Sequence, residues 1–157
     1  MKIVLLSIGK TNIDFLREGI NEYLKRLKFY VKFENIELNI IKNSKNLSKN
    51  ELLKKEGELI LNNISDSDFV ISLDEKGRGL TSLEFAKQIS KYRVNSKKKI
   101  IFLVGGAYGF SDLIYSRSND SISLSNMTFS HQMVRLFFVE QLYRSFTILN
   151  NESYHHE

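Results

Sequence analysis

Residues 100–104, Ile-Ile-Phe-Leu-Val, make an apolar run that no polar residue interrupts. Successive side chains of a strand point to opposite faces, so such a run suits only a sheet covered on both sides. The patterns around it supply the covers. Strand-like runs at residues 2–8, 31–41 and 69–73 alternate with helical periodicity. Leu16, Ile20, Tyr23, Leu24 and Leu27 mark one apolar stripe, and Leu83, Phe85, Ala86, Ile89 and Tyr92 another. Ser48 with Glu51 and Thr81 with Glu84 have the spacing of capping boxes that open the second and third helices. Asn12 is a candidate cap for the first. The phase of alternation changes near Asn35, which predicts a bulge in the second strand. A short helix after Ser111, a strand at residues 121–124 and a helix from about His131 complete the series. The expectation is an α/β fold, a mostly parallel sheet with helices on both faces, built as one domain over residues 1–157.

Composition narrows the class further. No cysteine is present among the 157 residues, which excludes disulfides, thiolate nucleophiles and Cys-based zinc sites and fits a reducing cytoplasm. No run approaches the ~18 apolar residues of a membrane helix. The opening apolar run is shorter than the ~7 to 15 residues of a signal-peptide core, so it is expected to be a strand. A net charge of +5 and a pI near 9.3 favour an anionic partner such as RNA, with lysine-rich solvation as the alternative. Lysines gather in clusters such as Lys97, Lys98 and Lys99, in the basic linker at residues 95–99.

The last third carries the candidate chemistry. Gly105, Gly106 and Gly109 follow the apolar run and permit a tight turn that a flat ligand can approach, although a plain strand-to-helix turn has the same pattern. A second loop, residues 124–130, leaves the next strand, and loops at neighbouring strand ends can form one crevice. Leu73, Leu124, Met127 and Phe129 could line it or pack in the core. His131 begins the last helix, where the helix dipole favours a neutral imidazole. On that helix Arg135, Glu140 and Arg144 cannot share one face, since nine residues make two and a half turns. Val134, Leu136, Phe137, Phe138, Val139, Leu142 and Phe146 make most of its circumference apolar, so one side is expected against the sheet, another against a second subunit, with the arginines at the rim.

The segments LVGGAYG, LSNMTFSHQMVR, EQLYRSF and SYHHE, with KIVLLSIGK, EYLKR, KKEGE and SLDEKGR before them in order, resemble the bacterial ribosomal large-subunit pseudouridine N3-methyltransferases, of the SPOUT class, along nearly the whole chain. The resemblance implies a deep trefoil knot near the C-terminus, S-adenosylmethionine as cofactor held in that knot, no metal, a homodimer, and the 23S RNA of the ribosome as substrate. It implies cofactor contacts at Leu73, Gly105, Leu124, Ser125, Asn126, Met127, Thr128 and Phe129. His131, Arg135, Arg144, Tyr154 and His155 are the catalytic or substrate-binding candidates, the tail acting across the dimer. Two departures stand out: the family commonly has proline at Ser130 and often arginine at His156. A knotted methyltransferase of another RNA, such as tRNA, or an RNA-binding module without catalysis would share many of these features. The lack of an appended RNA-binding domain favours a preassembled ribosomal substrate.

Overall fold

Five parallel strands form one sheet in the order β2-β1-β4-β3-β5, in a computed structural model that describes residues 1–95 and 98–156. Lys97 of the basic linker and Glu157 of the tail lie outside the described residues. The strands are β1 (Lys2–Ile8), β2 (Lys32–Leu38), β3 (Phe69–Gly79), β4 (Lys99–Val104) and β5 (Asp120–Ser123). Helices α1 (Asp14–Leu27), α2 (Lys49–Leu61), α3 (Ser82–Val94), α4 (Asp112–Arg117) and α5 (His131–Leu149) connect and follow them.

The apolar run of β4 sits between β1 and β3, and its residues divide by parity between two cores. Ile100, Phe102 and Val104 join Phe85 and Ile89 of α3, Ile20 of α1, and Phe138 and Leu142 of α5. Ile101 and Leu103 face the other way, toward Ile60 of α2 and Ile114 of α4. The two-faced burial expected of residues 100–104 is therefore met by three helices on one face and two on the other. Phe102 and Phe138, both fully buried, lie 4.6 Å apart between ring centroids, and truncating such a ring to alanine costs ~3–5 kcal/mol.

Both capping boxes form, at Ser48 with Glu51 and at Thr81 with Glu84. Asn12 does not cap α1. The cap position is Ile13, and Asn12 instead exchanges hydrogen bonds with Gln132 at the start of α5, at 3.1 and 2.7 Å. Nor does β2 bulge: its pairing with β1 is continuous from Lys32 to Leu38. The change of phase has another cause, because helices cover both faces of the sheet and β2 packs on both. Phe33 packs into the first core while Ile36 and Leu38 enter the second. The irregularity lies in β3, where register with β5 shifts between Leu73 and Arg78. Residues 74–79, whose charged, glycine-bearing sequence reads as a loop, belong instead to a longer strand with a detour at 74–77, and a Cβ on Gly77 would come within 2.6 Å of the Ile122 backbone.

Candidate active site

The carboxyl ends of β3, β4 and β5 open into a cavity of ≈ 520 Å³. Open α/β sheets characteristically bind ligands at this edge, where loops leave neighbouring strands. Leu73, Val104 and Leu124 supply apolar walls, and Gly105 and Gly106 supply backbone. Ser125, Met127, Thr128 and Phe129 close it from the second loop, and His131 and Val134 from the first turns of α5. Asn126, expected with them, is exposed and stands outside the lining. Met127 is 73% exposed.

The glycine loop is held by its own closure. Gly106 and Gly109 bridge, with the Gly109 N–H donating to the Gly106 carbonyl at 3.2 Å, and Gly109 has φ +79°. A Cβ on Gly105 would lie 2.5 Å from the Gly109 carbonyl oxygen, so a side chain there breaks the loop before it meets a ligand. Behind the loop, the buried Glu56 of α2 lies flat against Gly106, both carboxylate oxygens within 2.9 Å of where a Cβ would stand. Burial raises its pKa. On the cavity side, the Tyr115 hydroxyl donates to Asp74 at 2.8 Å, and burial together with that carboxylate pushes the phenol up to about 12. Thr128 donates to Glu75 at 2.8 Å and ties the second loop to the β3 detour. At Ser130, the hydroxyl accepts from the Met133 N–H at 3.3 Å, so this residue caps α5.

Arg135 does not stand at the rim. It is 0% exposed, and its guanidinium donates to the carbonyls of Ile8 and Gly9, to the Thr11 hydroxyl and to Glu37, between 2.7 and 3.4 Å. Burial lowers its pKa, and Glu37 opposes that. The buried fork ties α5 to the end of β1 and is out of reach of a phosphate, which removes Arg135 from the substrate-contacting candidates. His131 beside it is pulled below its ordinary pKa by burial and by the Arg135 charge, which keeps the ring neutral as a base or hydrogen-bond partner.

A second cluster forms at the far end of α5. Arg144 pairs with Glu140 at 2.6 Å, its guanidinium lies 4.7 Å from the Tyr154 ring centroid, and Nη1 is 3.3 Å from His155 Nδ1. The Tyr154 hydroxyl meets Tyr23 and Glu140, each at 3.1 Å, and its ring stands edge-on to Tyr143 at 4.8 Å. Burial and these partners raise the Tyr154 pKa. The tail is thus docked through Tyr154 and His155, while His156 is exposed. None of Arg144, Tyr154 or His155 lines the cavity. Thirteen residues separate His131 from Arg144, about 20 Å along a helix.

A family model described as "Predicted SPOUT methyltransferase" matches residues 1–155. The chain belongs to the SPOUT methyltransferase family. A protein of Parabacteroides distasonis named ribosomal RNA large subunit methyltransferase H is 51% identical over 157 residues, 100% of each chain. One of the same name from Cytophaga hutchinsonii is 53% identical over 156 residues, 99% of this chain and 100% of its own. Among solved structures, a probable methylase family protein from Haemophilus influenzae Rd KW20 shares the fold at a TM-score of 0.50 and 16% identity, over 99% of this chain and 70% of that one.

Within this SPOUT chain, sequence reasoning missed Asp74, Glu75, Tyr108 and Tyr115 as cavity residues and Glu56 as the support of the glycine loop. All but Tyr115 lie in segments already singled out, SLDEKGR, LVGGAYG and KKEGE, so the signal was present without a geometry to read it. Tyr115 sits on α4 and only packing brings it to Asp74.

Proposed function

We propose that the protein transfers a methyl group from S-adenosylmethionine to N3 of a pseudouridine in the 23S RNA of the large ribosomal subunit, as a cytoplasmic homodimer acting on the assembled ribosome. What carries this reading is agreement along the whole chain, because relatives about half identical to it from end to end are named for large-subunit rRNA methylation. A single domain whose C-terminal segment is threaded as a trefoil knot belongs to the same reading, by resemblance.

The residues present suit the donor. Leu73, Val104 and Leu124 offer apolar surface to an adenine, and the two loops offer main-chain groups to its edges. When bound, the donor supplies a methyl group activated by a sulfonium charge. Asp74 and Glu75 bring carboxylates to a cavity that Lys49 and Lys76 also line, and a carboxylate near the sulfonium favours the cationic donor over its neutral thioether product. The acceptor nitrogen gives up its imide proton to solvent as it is methylated, so a cation beside it stabilises the charge that develops. Arg144, backed by Glu140 and aligned with Tyr154 and His155, is the group assigned to that task.

One chain separates this cluster from the cavity by most of a helix, so a second copy is assigned to bring its tail to the donor. Val134, Leu136 and Phe137 remain half-buried, and Phe137 pairs with Phe129 of the cavity loop at 4.7 Å, an apolar face of the kind subunits bury. Phe138, which sequence pattern grouped with them, belongs to the chain's own core.

Methyl incorporation into assembled ribosomes, free rRNA and tRNA, with the product nucleoside mapped, tests the assignment. Methylation of pseudouridine in ribosomes is expected. Methylation confined to tRNA, or no heat on titration with S-adenosylmethionine, overturns it.

A further inference from the structure

Around the cavity most polar side chains are spoken for: Asp74 by Tyr115, Glu75 by Thr128 and Ser130 by the α5 backbone. Tyr108 and two lysines stand, with His131, outside that network. Tyr108 follows the Gly105–Gly106 turn, lines the cavity and still keeps 55% of its surface exposed. The ammonium of Lys49, the first residue of α2, stands 5.6 Å from its ring centroid. Lys76 lines the cavity from the β3 detour. Neither Lys49 nor Lys76 enters an ion pair among the described residues, although Asp74 and Glu75 line the same cavity. Lys42 and Lys45, in the connection that leads into α2, are likewise exposed and unpaired among the described residues.

A solvent-facing ring beside unneutralised cations has the two properties that single-stranded nucleic acid requires, a plane on which a base stacks and positive charge for the phosphates that follow. We propose that Tyr108 and Lys49 form an RNA-docking platform beside the donor cavity, Tyr108 stacking on a base that flanks the modified nucleotide while Lys49 and Lys76 neutralise its phosphates. The proposal rests on the RNA methyltransferase reading above. It adds a contact on the donor's own protomer to the tail cluster, so the acceptor strand is held from both sides. The run of lysines from Lys42 to Lys49 gives the approach a polarity, leading RNA across the start of α2 toward the cavity mouth.

Binding of fluorescently labelled full-length protein to ribosomes, read by anisotropy over a range of salt, tests the platform without requiring turnover. Lys49→Ala is expected to weaken binding several-fold and to reduce the slope of log affinity against log salt by about 0.7. Tyr108→Leu is expected to cost about tenfold, and Tyr108→Phe, which keeps the ring, to restore binding. Calorimetry with S-adenosylhomocysteine reads the donor site separately, because both residues line it: the loss of ribosome affinity should exceed any loss there, and the melting temperatures of variants and parent should agree. Unchanged ribosome binding in Lys49→Ala and Tyr108→Leu overturns the platform. So does a loss confined to S-adenosylhomocysteine affinity, which would assign Lys49 to the donor's carboxylate. Failure of the parent protein to methylate ribosomes would sink the functional reading instead, and the anisotropy series would still decide the platform.

Discussion

At the N-terminal end of α5, His131 and Val134 face an open cavity whose loops leave Met127 and Tyr108 largely in solvent. At the other end, Arg144, Tyr154, His155, Glu140, Tyr23 and Tyr143 are joined by hydrogen bonds and ring contacts before any partner arrives. The first region is a container with apolar walls, shaped by backbone. The second is a preassembled polar cluster built around the Arg144 cation. On the proposed function, catalysis by alignment needs the acceptor groups already ordered and the donor site free to fill, and this division suits it. One helix carries both regions, yet its length keeps them apart on a single chain.

Truncation after Asn151 attacks the cluster, together with the Glu152 bonds to Tyr30 and Thr147, and leaves the cavity lining whole. Cofactor affinity by calorimetry should be unchanged, while methyl transfer to ribosomes should fall by ~10² or more, since both positioning and charge stabilisation are lost. Tyr154→Phe, which keeps the ring and removes the hydroxyl bonded to Tyr23 and Glu140, should fall between truncated and full-length protein. A truncated enzyme with the full-length rate would reduce the cluster to packing.

Replacing Arg135 tests what fixes α5 between the two regions. Arg135→Ala should destabilise the protein by ~3–5 kcal/mol in chemical denaturation, because the Ile8 and Gly9 carbonyls and Glu37 lose a buried partner. Loss of ribosome affinity with unchanged stability would restore the phosphate-binding role that the buried position denies.

Gly105→Ala should weaken cofactor binding by about tenfold, with a smaller effect on stability, because the added Cβ forces the Gly109 carbonyl away and opens the loop. Calorimetry and thermal melting separate the two effects. The tail cluster should be indifferent to this change.

The smallest effect is a pH dependence. The folded pKa of His131 is lowered, so the unfolded chain binds more protons as pH falls below the ordinary value of 6.5. Its contribution to stability is complete above that value and declines as pH falls toward the folded pKa. His131→Gln should flatten this part of the stability profile in urea titrations, and a profile identical to the parent's would remove His131 from the titrating groups.

Much of the fold was legible because it follows from repetition. Period-two and period-3.6 patterns located the strands and helices, and the capping spacings at Ser48 and Thr81 placed two helix starts. The glycine loop, the second loop and the tail were legible as candidates because glycine, buried-type strand ends and a polar terminus stand out locally. The sequence also carried the family resemblance and, with it, the expected chemistry.

Tertiary structure alone decided where each side chain went. Arg135 and Arg144 look alike in a helix, yet the register of α5 against β1 buries one among backbone carbonyls and aims the other at the tail. The altered phase in β2 reads as a bulge until helices on both faces of the sheet let both sides of the strand pack. Glu56 and Tyr115 acquire meaning only when α2 and α4 meet the loops that leave β4 and β3. Local patterns record which residues prefer burial, whereas long-range pairing determines which neighbour each one meets, and a site is a property of neighbours.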